Sequence, residues 1–472
     1  MSHPFVRASF TVCLSSVAIA ALAAVAAQAC NTGHFNGCQE SRTCASGGAT
    51  DVAAAAGASG EAPAESGGSP SGGSAGATAN SSENAGAAGE AEPSCGAPGD
   101  PCCARERCIA GAACSANTCS CKEGLSECAG GCVDRSTDAK NCGACGHDCL
   151  GGACDLGKCQ PVLIAPDQTY TSDIATDGTY VYWSGAADDL EKHKYIARRR
   201  VDLSDVAKVI VPDEPYVSGL TVSASGVYWL GTDHVRTCDA PNCSKGPADF
   251  APTGSTCLKL LFSASVSTFY WACPARYAMD DGALWRFSAG ASSPVRVEPK
   301  SPNPDRLTAD QQNVYWFNDS NFDAQGDLKT DGAVWRVRLS DGLTTKLVSS
   351  LVAEGTAMAV GETALYVAGN FGGTTPAADA TAIFRIPLPN GAVKPSKFAD
   401  ATSVGGMVAD SQALYWADYG GGVIARCAHS GCTTPEVMAP SQTLPDAIAQ
   451  DSTSIYWVSG NASVGSVQRL AK

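Results

Sequence analysis

An acidic segment near the middle of the chain carries residue types that bind metal ions. It begins Asn318-Asp319-Ser320-Asn321-Phe322-Asp323. Oxygen ligands at alternating positions suit Ca²⁺. The spacing departs from that of an EF-hand loop, because Ala324 stands where Gly is needed and Thr330 where a bidentate Glu is needed. A calcium site on Asp319, Asn321 and Asp323 is one hypothesis, and a solvated acidic loop is the other.

Residue types for acid–base or nucleophilic catalysis are sparse in the same part of the chain. Residues 161–472 contain only three histidines, His193, His234 and His429. They lack the Gly-x-Ser-x-Gly pattern that presents a nucleophilic serine, and they lack a paired His/carboxylate motif. We therefore predict no catalytic residues and no cofactor, with Ca²⁺ as the only candidate ion.

Cysteine is concentrated in one short segment. Of 24 Cys in the chain, 14 lie within residues 95–160, where few side chains could form a core. A segment this small must be held by cross-links, and disulfides persist only in an oxidising compartment. Zinc is the alternative, because Cys142, Cys145 and Cys149 lie near His147 in the sequence. The even number of cysteines favours an exported disulfide module, whose pairing the spacing leaves open.

The N-terminus also indicates export. Arg7 precedes an apolar stretch that ends Ala27-Gln28-Ala29-Cys30, which predicts a signal peptide over residues 1–29. This end resembles a bacterial lipoprotein signal in which Cys30 becomes the lipidated first residue, although Ala27 replaces the usual Leu. Lipidation would attach the protein to a membrane, by expectation the outer membrane, and would leave Cys38 and Cys44 free to pair. A freely secreted protein and an uncleaved membrane anchor are the alternatives.

Residues 30–94 are predicted to form a flexible tether. Within them, residues 45–94 consist almost wholly of Ala, Gly, Ser, Glu and Pro and lack Lys and Arg. Such a segment cannot bury enough apolar surface to become ordered. A flexible linker of this length has an r.m.s. span of about 40 Å. It would hold the folded part away from a membrane, or separate two domains.

The charge balance is strongly acidic. The formal net charge is −15, and loss of residues 1–29, whose only charge is Arg7, would make it −16. Nucleic-acid binding needs clustered Lys and Arg that neutralise phosphates. We therefore predict that nucleic acid is not a partner.

A pattern repeated seven times organises residues 161–472. Each copy has an apolar residue, an apolar–Tyr–Trp triplet that ends nine residues later, and an Arg downstream. Successive triplets are 46, 42, 45, 51, 49 and 41 residues apart. A period in the forties, built from short strand-like runs, is typical of β-propeller blades. The triplets end at Trp183, Trp229, Trp271, Trp316, Val367, Trp416 and Trp457, and the Arg residues are Arg198, Arg236, Arg286, Arg336, Arg385, Arg426 and Arg469.

Within one repeat, the apolar residue is expected in the innermost strand, the triplet in the second strand and the Arg in the third. Because blades stack face to face, both faces of the middle strands are buried. Tyr and Trp are therefore interpreted as core residues and not as a ligand platform. An Asp recurs six residues before the Trp in four copies and is interpreted as a turn residue. These residues are Asp177, Asp310, Asp410 and Asp451.

The repeat resembles that of a known family. Trp416-Ala417-Asp418 and Trp316-Phe317-Asn318 are similar to the YWTD repeat of LDL-receptor-type propellers, over about two-thirds of the chain. The evenly spaced cysteines of residues 95–160 resemble EGF-like modules. The resemblance implies an all-β fold with a small disulfide-rich N-terminal module. Because we count seven copies where that family has six blades, we predict a seven-bladed β-propeller over residues 161–472, with six blades as the alternative.

The last copy lacks room for an outer strand, so we predict that residues 161–165 supply it and close the ring. Six further cysteines lie within the repeats, and two close pairs flank the turn after the Arg strand. A third pair flanks the first hairpin of the third blade. The predicted disulfides are Cys238–Cys243, Cys427–Cys432 and Cys257–Cys273.

The longest connections between strands all fall between the second and third strands of a blade, at residues 184–195, 272–283, 317–333 and 368–382. Such loops emerge on one face of a propeller, which is where propellers build binding sites. We expect the ligand to contact this face. The predicted contact residues are Tyr216, Tyr277, Asp319, Phe322, Asp323, Phe371 and Tyr419.

These features predict a non-catalytic binding or scaffold protein, exported to the cell envelope or secreted, whose ligand is a protein or a glycan. The rival from another class is a metal-dependent lactonase, hydrolase or lyase built on a propeller. That enzyme would need acidic or amide ligands that converge on the central channel from several blades. A purely structural envelope protein, or a ligand site on the cysteine module, are further alternatives.

Overall fold

Seven antiparallel sheets of four strands account for residues 162–471. Each sheet is one blade, and the blades follow one another in chain order. The computed structural model describes residues 95–187, 193–254, 256–274, 282–297, 303–319, 332–351, 353–371, 382–389, 395–461 and 464–472. All of them belong to one unit, Ser94–Lys472. Within these ranges the regular elements are strands, and no helix is long and apolar enough to cross a membrane.

The first four blades are continuous in sequence. Blade 1 contains β8 (Ile174–Thr176), β9 (Tyr180–Ala186), β10 (Lys194–Arg200) and β11 (Lys208–Glu214). Blade 2 contains β12 (Ser218–Ser223), β13 (Gly226–Leu230), β14 (His234–Cys238) and β15 (Ala248–Pro252). Blade 3 contains β16 (Lys259–Ser263), β17 (Thr268–Cys273), β18 (Ala283–Ser288) and β19 (Val295–Val297). Blade 4 contains β20 (Pro304–Ala309), β21 (Asn313–Asn318), β22 (Gly332–Arg338) and β23 (Thr344–Leu351).

The last blade takes its outer strand from the start of the ring. Blade 5 contains β24 (Ala353–Val360), β25 (Ala364–Phe371), β26 (Ala382–Pro387) and β27 (Ser396–Asp400). Blade 6 contains β28 (Val404–Ala409), β29 (Ala413–Asp418), β30 (Val423–Ala428) and β31 (Glu436–Ala439). Blade 7 contains β32 (Pro445–Gln450), β33 (Ser454–Asn461), β34 (Val464–Ala471) and β7 (Val162–Gln168). The predicted seven-bladed ring and its closure by this N-terminal strand are confirmed.

Seven clusters of buried side chains fill the interfaces between blades. Each cluster contains the Tyr of one blade and the triplet-final residue of the next, as for Tyr182 with Trp229 and Tyr415 with Trp457. The seventh pair, Tyr456 with Trp183, joins blade 7 to blade 1. Tyr and Trp therefore point to opposite faces of each sheet, as the alternation of a strand requires. The aromatic residues are core residues, as predicted.

The register of the inner hairpin also follows the repeat. Ile174 lies opposite Trp183, and Ile448 lies opposite Trp457. Blade 3 differs, because Leu260 lies opposite Trp271 and the residue nine before that Trp, Phe262, lies opposite Phe269. The turn of this hairpin is displaced along the chain, so the fixed spacing of the repeat does not apply to it.

The recurrent Asp residues close the turns between the first and second strands. Oδ1 of Asp451 accepts hydrogen bonds from the backbone N–H groups of Thr453 (2.7 Å) and Ser454 (2.9 Å). Its Oδ2 accepts a bond of 2.7 Å from the hydroxyl of Tyr456, the triplet tyrosine of the same blade. Asp310 binds Tyr315 in the same way, at 2.8 Å. One carboxylate thus satisfies both the turn and a buried hydroxyl.

The cysteine-rich module spans residues 95–160 and contains three short hairpins. Their strands are β1 (Ala112–Ser115), β2 (Thr118–Cys121), β3 (Ser126–Cys128), β4 (Gly131–Val133), β5 (Cys154–Asp155) and β6 (Lys158–Cys159). All 14 cysteines are paired, and the bridges are Cys95–Cys103, Cys102–Cys114, Cys108–Cys119, Cys121–Cys132, Cys128–Cys145, Cys142–Cys154 and Cys149–Cys159. The ring contains Cys238–Cys243, Cys257–Cys273 and Cys427–Cys432. So many disulfides indicate an oxidising, exported environment.

The module packs against the seam of the ring. Its buried cysteines Cys142, Cys149 and Cys159 share a core cluster with Trp457 and Leu470. Arg469, on β34, donates to the backbone oxygens of Leu150 in the module and Val201 in blade 1. One side chain therefore connects the module, the last blade and the first.

Candidate functional site

The two faces of the ring are unlike each other. Strands alternate in direction, so the loops between second and third strands and the connections between blades share one side, here called the loop face. The turns between first and second and between third and fourth strands share the other side, the hairpin face. The module lies on the hairpin face, because it contacts the end of β34 and the start of β7.

The strand bounds show that the four predicted insertions lie between the second and third strands of their blades. Their central residues fall outside the described ranges, and so do four predicted site residues: Tyr277, Asn321, Phe322 and Asp323. Phe371 is the last residue of β25. Tyr419 follows β29 in a turn on the loop face and is partly exposed. Tyr216, before β12, is partly buried, and its hydroxyl donates to the backbone oxygen of Cys257 (3.2 Å).

Asp319 has a structural position. It is only 2 % exposed, and its Oδ1 accepts a hydrogen bond of 3.0 Å from the backbone N–H of Gly355 in blade 5. The carboxylate therefore joins blades 4 and 5 beneath the loop face. The calcium hypothesis on Asp319 and the two residues outside the described ranges stays a prediction.

The YWTD-like residues Asn318 and Asp418 anchor the connections between blades. Asp418 accepts hydrogen bonds of 3.0 Å from the backbone N–H groups of Thr402 and Ser403, which lead into β28. Asn318 accepts one of 3.0 Å from the N–H of Asn303, which leads into β20. Both residues therefore fix the position of a connection between blades on the loop face.

Charged residues meet at the loop-face end of the central channel. Asp173 precedes β8, Lys259 begins β16, Arg306 lies near the start of β20, and Asp446 lies near the start of β32. These are the innermost strands of blades 1, 3, 4 and 7, and each begins on the loop face. We call these four residues the channel mouth.

The order of the blades places the four residues around the same end of the central channel. The charges of Lys259, Asp173 and Arg306 all act on the carboxyl of Asp446. Blade 7 has blades 6 and 1 as neighbours, so residues of blades 3 and 4 can approach Asp446 only across the channel. The channel mouth is therefore one site built from distant parts of the sequence.

Burial dominates the state of Asp446. It raises the pKa of this carboxyl above its ordinary value, and the nearby charge of Asp173 raises it further. Lys259 and Arg306 lower the pKa but do not reverse the shift. The ionised form of this carboxyl is therefore less favourable in the folded protein than in water. Among the described residues, no hydrogen bond or ion pair joins Asp446 to Lys259.

The other charges are held in place by neighbouring blades. Arg306 donates from Nε to the backbone oxygen of Thr356 (2.6 Å), and its Nη1 pairs with Asp305 (2.7 Å), which is 3 % exposed. Oδ2 of Asp173 accepts a bond of 3.2 Å from the N–H of Gly219. A Cβ at Gly405 would collide with the carboxylate of Asp446, so this position requires glycine.

The sequence reasoning missed the channel mouth. The signal was present, since Asp173, Lys259 and Arg306 each stand directly before the apolar residue that faces the triplet. That position is not repeated, because other blades have Gly or Ala there. Because the position varies from blade to blade, the charged residues are not part of the repeated pattern.

Metal ligation by the cysteines is not supported. The described residues that group as potential ligands are Cys102 with Cys108 and Cys119, and Cys142 with Cys149 and Cys159. All six are in disulfides, which leaves no thiolate for zinc. His147 instead joins the module to the ring, since its Nδ1 lies 2.7 Å from the backbone oxygen of Cys142 and its Nε2 lies 2.7 Å from that of Lys472. The zinc alternative is therefore wrong for these cysteines.

A cleft of about 180 Å³ lies between the module and blades 6 and 7. Its lining includes His147, Lys158, Arg426, Glu436 and Lys472. Arg426 and Glu436 pair with each other at 2.8 Å across β30 and β31. The cleft lies on the hairpin face, away from the loops, and is part of the junction that holds the module.

Comparison with protein-family models and with curated proteins finds no match. Several solved structures are similar to this chain at low sequence identity. A streptogramin B lyase is 12 % identical, with a TM-score of 0.47 over 66 % of this chain and 97 % of that one. A virginiamycin B lyase from Staphylococcus aureus is 14 % identical, with a TM-score of 0.46 over 65 % and 99 %. A nidogen/laminin complex contains a chain 15 % identical, with a TM-score of 0.36 over 48 % and 82 %.

Proposed function

We propose that the protein is an exported, non-catalytic binding or scaffold protein whose loop face captures a protein or glycan of the cell envelope or exterior. The observation that carries this proposal is the channel mouth. Four blades place a charged residue near the start of the innermost strand, on the face that also carries the long loops. The opposite face is occupied by the module.

The N-terminal region fits the same role. A signal peptide over residues 1–29, lipidation of Cys30 and a tether over residues 30–94 would hold the ring outside a membrane, with its module nearest the tether. The module precedes the ring in sequence and contacts its hairpin face. The YWTD-like repeat and the EGF-like module belong to the same proposal.

The test is capture by the full chain of envelope proteins and of an array of glycans, with and without Ca²⁺. A variant with Tyr419→Ala and Phe371→Ala, together with Ala at Tyr277, Phe322 and Asp323, should lose capture. The matched control is Leu343→Ala, because Leu343 is 55 % exposed in a turn on the hairpin face. Capture that survives the loop substitutions, or that maps to residues 95–159, would make the module the binder.

The enzyme rival gains one observation, since Asp173 and Asp446 place two carboxylates at the channel. The cations Lys259 and Arg306 act on the same carboxyl and oppose a metal cation there. Metal-dependent turnover of lactones or esters by the purified protein, abolished by Asp173→Asn, would establish the enzyme in place of the binding protein.

A further inference from the structure

His147 joins the module to the ring through both nitrogens of its imidazole. Its Nδ1 lies 2.7 Å from the backbone oxygen of Cys142, within the module. Its Nε2 lies 2.7 Å from the backbone oxygen of Lys472, which follows the last strand of the ring. Both distances are within the range of N–H···O hydrogen bonds. The two partners are carbonyl oxygens, so each of them can only accept.

The number of protons on His147 decides how many of these contacts are hydrogen bonds. A neutral imidazole has one N–H group and one bare nitrogen, whereas an imidazolium has two N–H groups. In the neutral form, the lone pair of one nitrogen would face a carbonyl oxygen at 2.7 Å. Only the imidazolium donates to Cys142 and to Lys472 at the same time. The geometry of the junction therefore fits the protonated side chain.

The charged groups around His147 permit this positive charge. Most of those that line the cleft or flank His147 in the module are paired with an opposite charge. The pairs are Arg426 with Glu436 (2.8 Å), Lys472 with Asp410 (3.1 Å) and Lys140 with Asp148 (2.7 Å). Lys158, which also lines the cleft, is exposed, so water and salt screen its charge. The surroundings therefore carry little unbalanced charge that would oppose a proton on His147.

We propose that protonation of His147 strengthens the attachment of the module to the ring, so that the junction is more stable in acid than at neutral or higher pH. When His147 loses its second proton, the bond to Cys142 is retained, because the two residues are only five apart in the module. The bond to Lys472 is the one that is lost. The core cluster that the module shares with Trp457, and the bond from Arg469, still hold the module on the ring. This device goes beyond the proposed function, because it does not depend on what the loop face binds.

The test compares urea unfolding of the full chain and of His147→Gln at about pH 5 and about pH 8. Histidine titrates between these values, whereas carboxylates, ammonium and guanidinium groups ordinarily keep their charge. The Gln side chain is neutral at both. A proton that is bound more tightly in the folded state stabilises it at low pH, and this contribution is lost as pH rises. His147→Gln should therefore raise the unfolding equilibrium constant by about three- to tenfold more at the lower pH.

The matched control is His429→Gln. One nitrogen of His429 faces the hydroxyl of Tyr366, which can donate, so the neutral imidazole satisfies both of its contacts. The effect of this control substitution should not grow as pH falls. Circular dichroism checks that each variant is folded, and His147→Asn gives the same comparison if Gln does not pack. The proposal is overturned if the effect of the His147 substitution is equal at the two pH values, if it is larger at the higher one, or if the control shows the same pH dependence.

Discussion

The hydroxyl of Tyr366 in blade 5 lies 2.8 Å from Nδ1 of His429 in blade 6. Nε2 of the same imidazole lies 2.8 Å from the backbone oxygen of Asp410, which can only accept. Nε2 therefore donates, and Nδ1 accepts from the tyrosine. Blade 5 has Gly361 where four other blades have the turn Asp, and a Cβ there would approach the imidazole to 3.0 Å. A histidine from the next blade thus replaces a missing carboxylate.

His429→Ala should lower the free energy of unfolding by about 1–3 kcal/mol, because it removes the acceptor of the Tyr366 hydroxyl and a donor to the Asp410 backbone oxygen. Tyr366→Phe alone should also destabilise, because Nδ1 then loses its donor. In a double-mutant cycle by urea unfolding, the two losses should be less than additive. Strict additivity would show that the hydrogen bond contributes nothing.

Trp416→Ala should lower the free energy of unfolding by about 3–5 kcal/mol, because Trp416 is only 1 % exposed and packs between blades 5 and 6. Its Nε1 has no hydrogen-bond partner among the described residues, so Trp416→Phe, which removes that group, should cost less. Denaturant unfolding measures both variants. A loss below about 1 kcal/mol for the alanine variant would contradict a core role.

Asp446→Asn should stabilise the protein at pH 7. The pKa of Asp446 is raised by burial, so ionisation of this carboxyl opposes folding. The advantage of the Asn variant should shrink as pH falls through the folded pKa and vanish below the unfolded value of about 4. Thermal unfolding at pH 4 to 8 checks this, and an equal difference at every pH would contradict it.

Asp451→Asn should act in the opposite direction. Burial raises the pKa of Asp451, but hydrogen bonds from Tyr456, Thr453 and Ser454 outweigh burial and hold the pKa below its ordinary value. This carboxylate therefore contributes stability above the unfolded pKa, and the contribution is lost as pH falls through the folded pKa. The variant should lose about 1–2 kcal/mol at neutral pH. An unchanged free energy of unfolding would show that the Asp451 carboxylate does not stabilise the fold.

Arg469→Met should lower the free energy of unfolding by about 1–3 kcal/mol, because Arg469, which is only 4 % exposed, donates to the backbone oxygens of Val201 and Leu150 at the seam. Arg426→Met is the control, since its side chain is 36 % exposed and pairs with Glu436 at the surface. Such a pair is worth at most about 1 kcal/mol. Equal losses in urea unfolding would show that the seam contact adds nothing.

Replacing both cysteines of a disulfide by Ser should lower the free energy of unfolding more when the disulfide closes a longer loop. Cys257–Cys273 spans 16 residues and Cys427–Cys432 spans 5, so the expected losses are about 3 and about 2 kcal/mol. Thiol titration of the denatured, non-reduced protein should detect no free thiol among the cysteines of residues 95–432. Reactive thiols there would contradict the oxidised state.

The repeated features of the fold were predictable because the same packing environment recurs in every blade. Tyr182 and its six counterparts must each meet a neighbouring sheet, so one interpretation served all copies. Blade 3 escaped the fixed spacing, because its turn is displaced and Leu260 takes the place expected for Phe262.

The channel mouth was not predictable in the same way. Lys259 and Asp446 are far apart in sequence, and only the closed ring places both at the same end of the channel. Neither residue belongs to a period or a local motif. The site is thus a product of tertiary geometry, whereas the blades are a product of local pattern.

The pairing of β7 with β34 also sets an order of events. Val162 must find Arg469, about 300 residues later in the chain. Loops this long are slow to close, whereas the bridges of the module span only 8 to 17 residues and can form early. A chain exported with its N-terminus first would therefore form the disulfides of the module first. The blades would then fold one after another, and the pairing of β7 with β34 would close the ring last. A protein cut before residue 464 would leave a gap in the ring that a protease can enter.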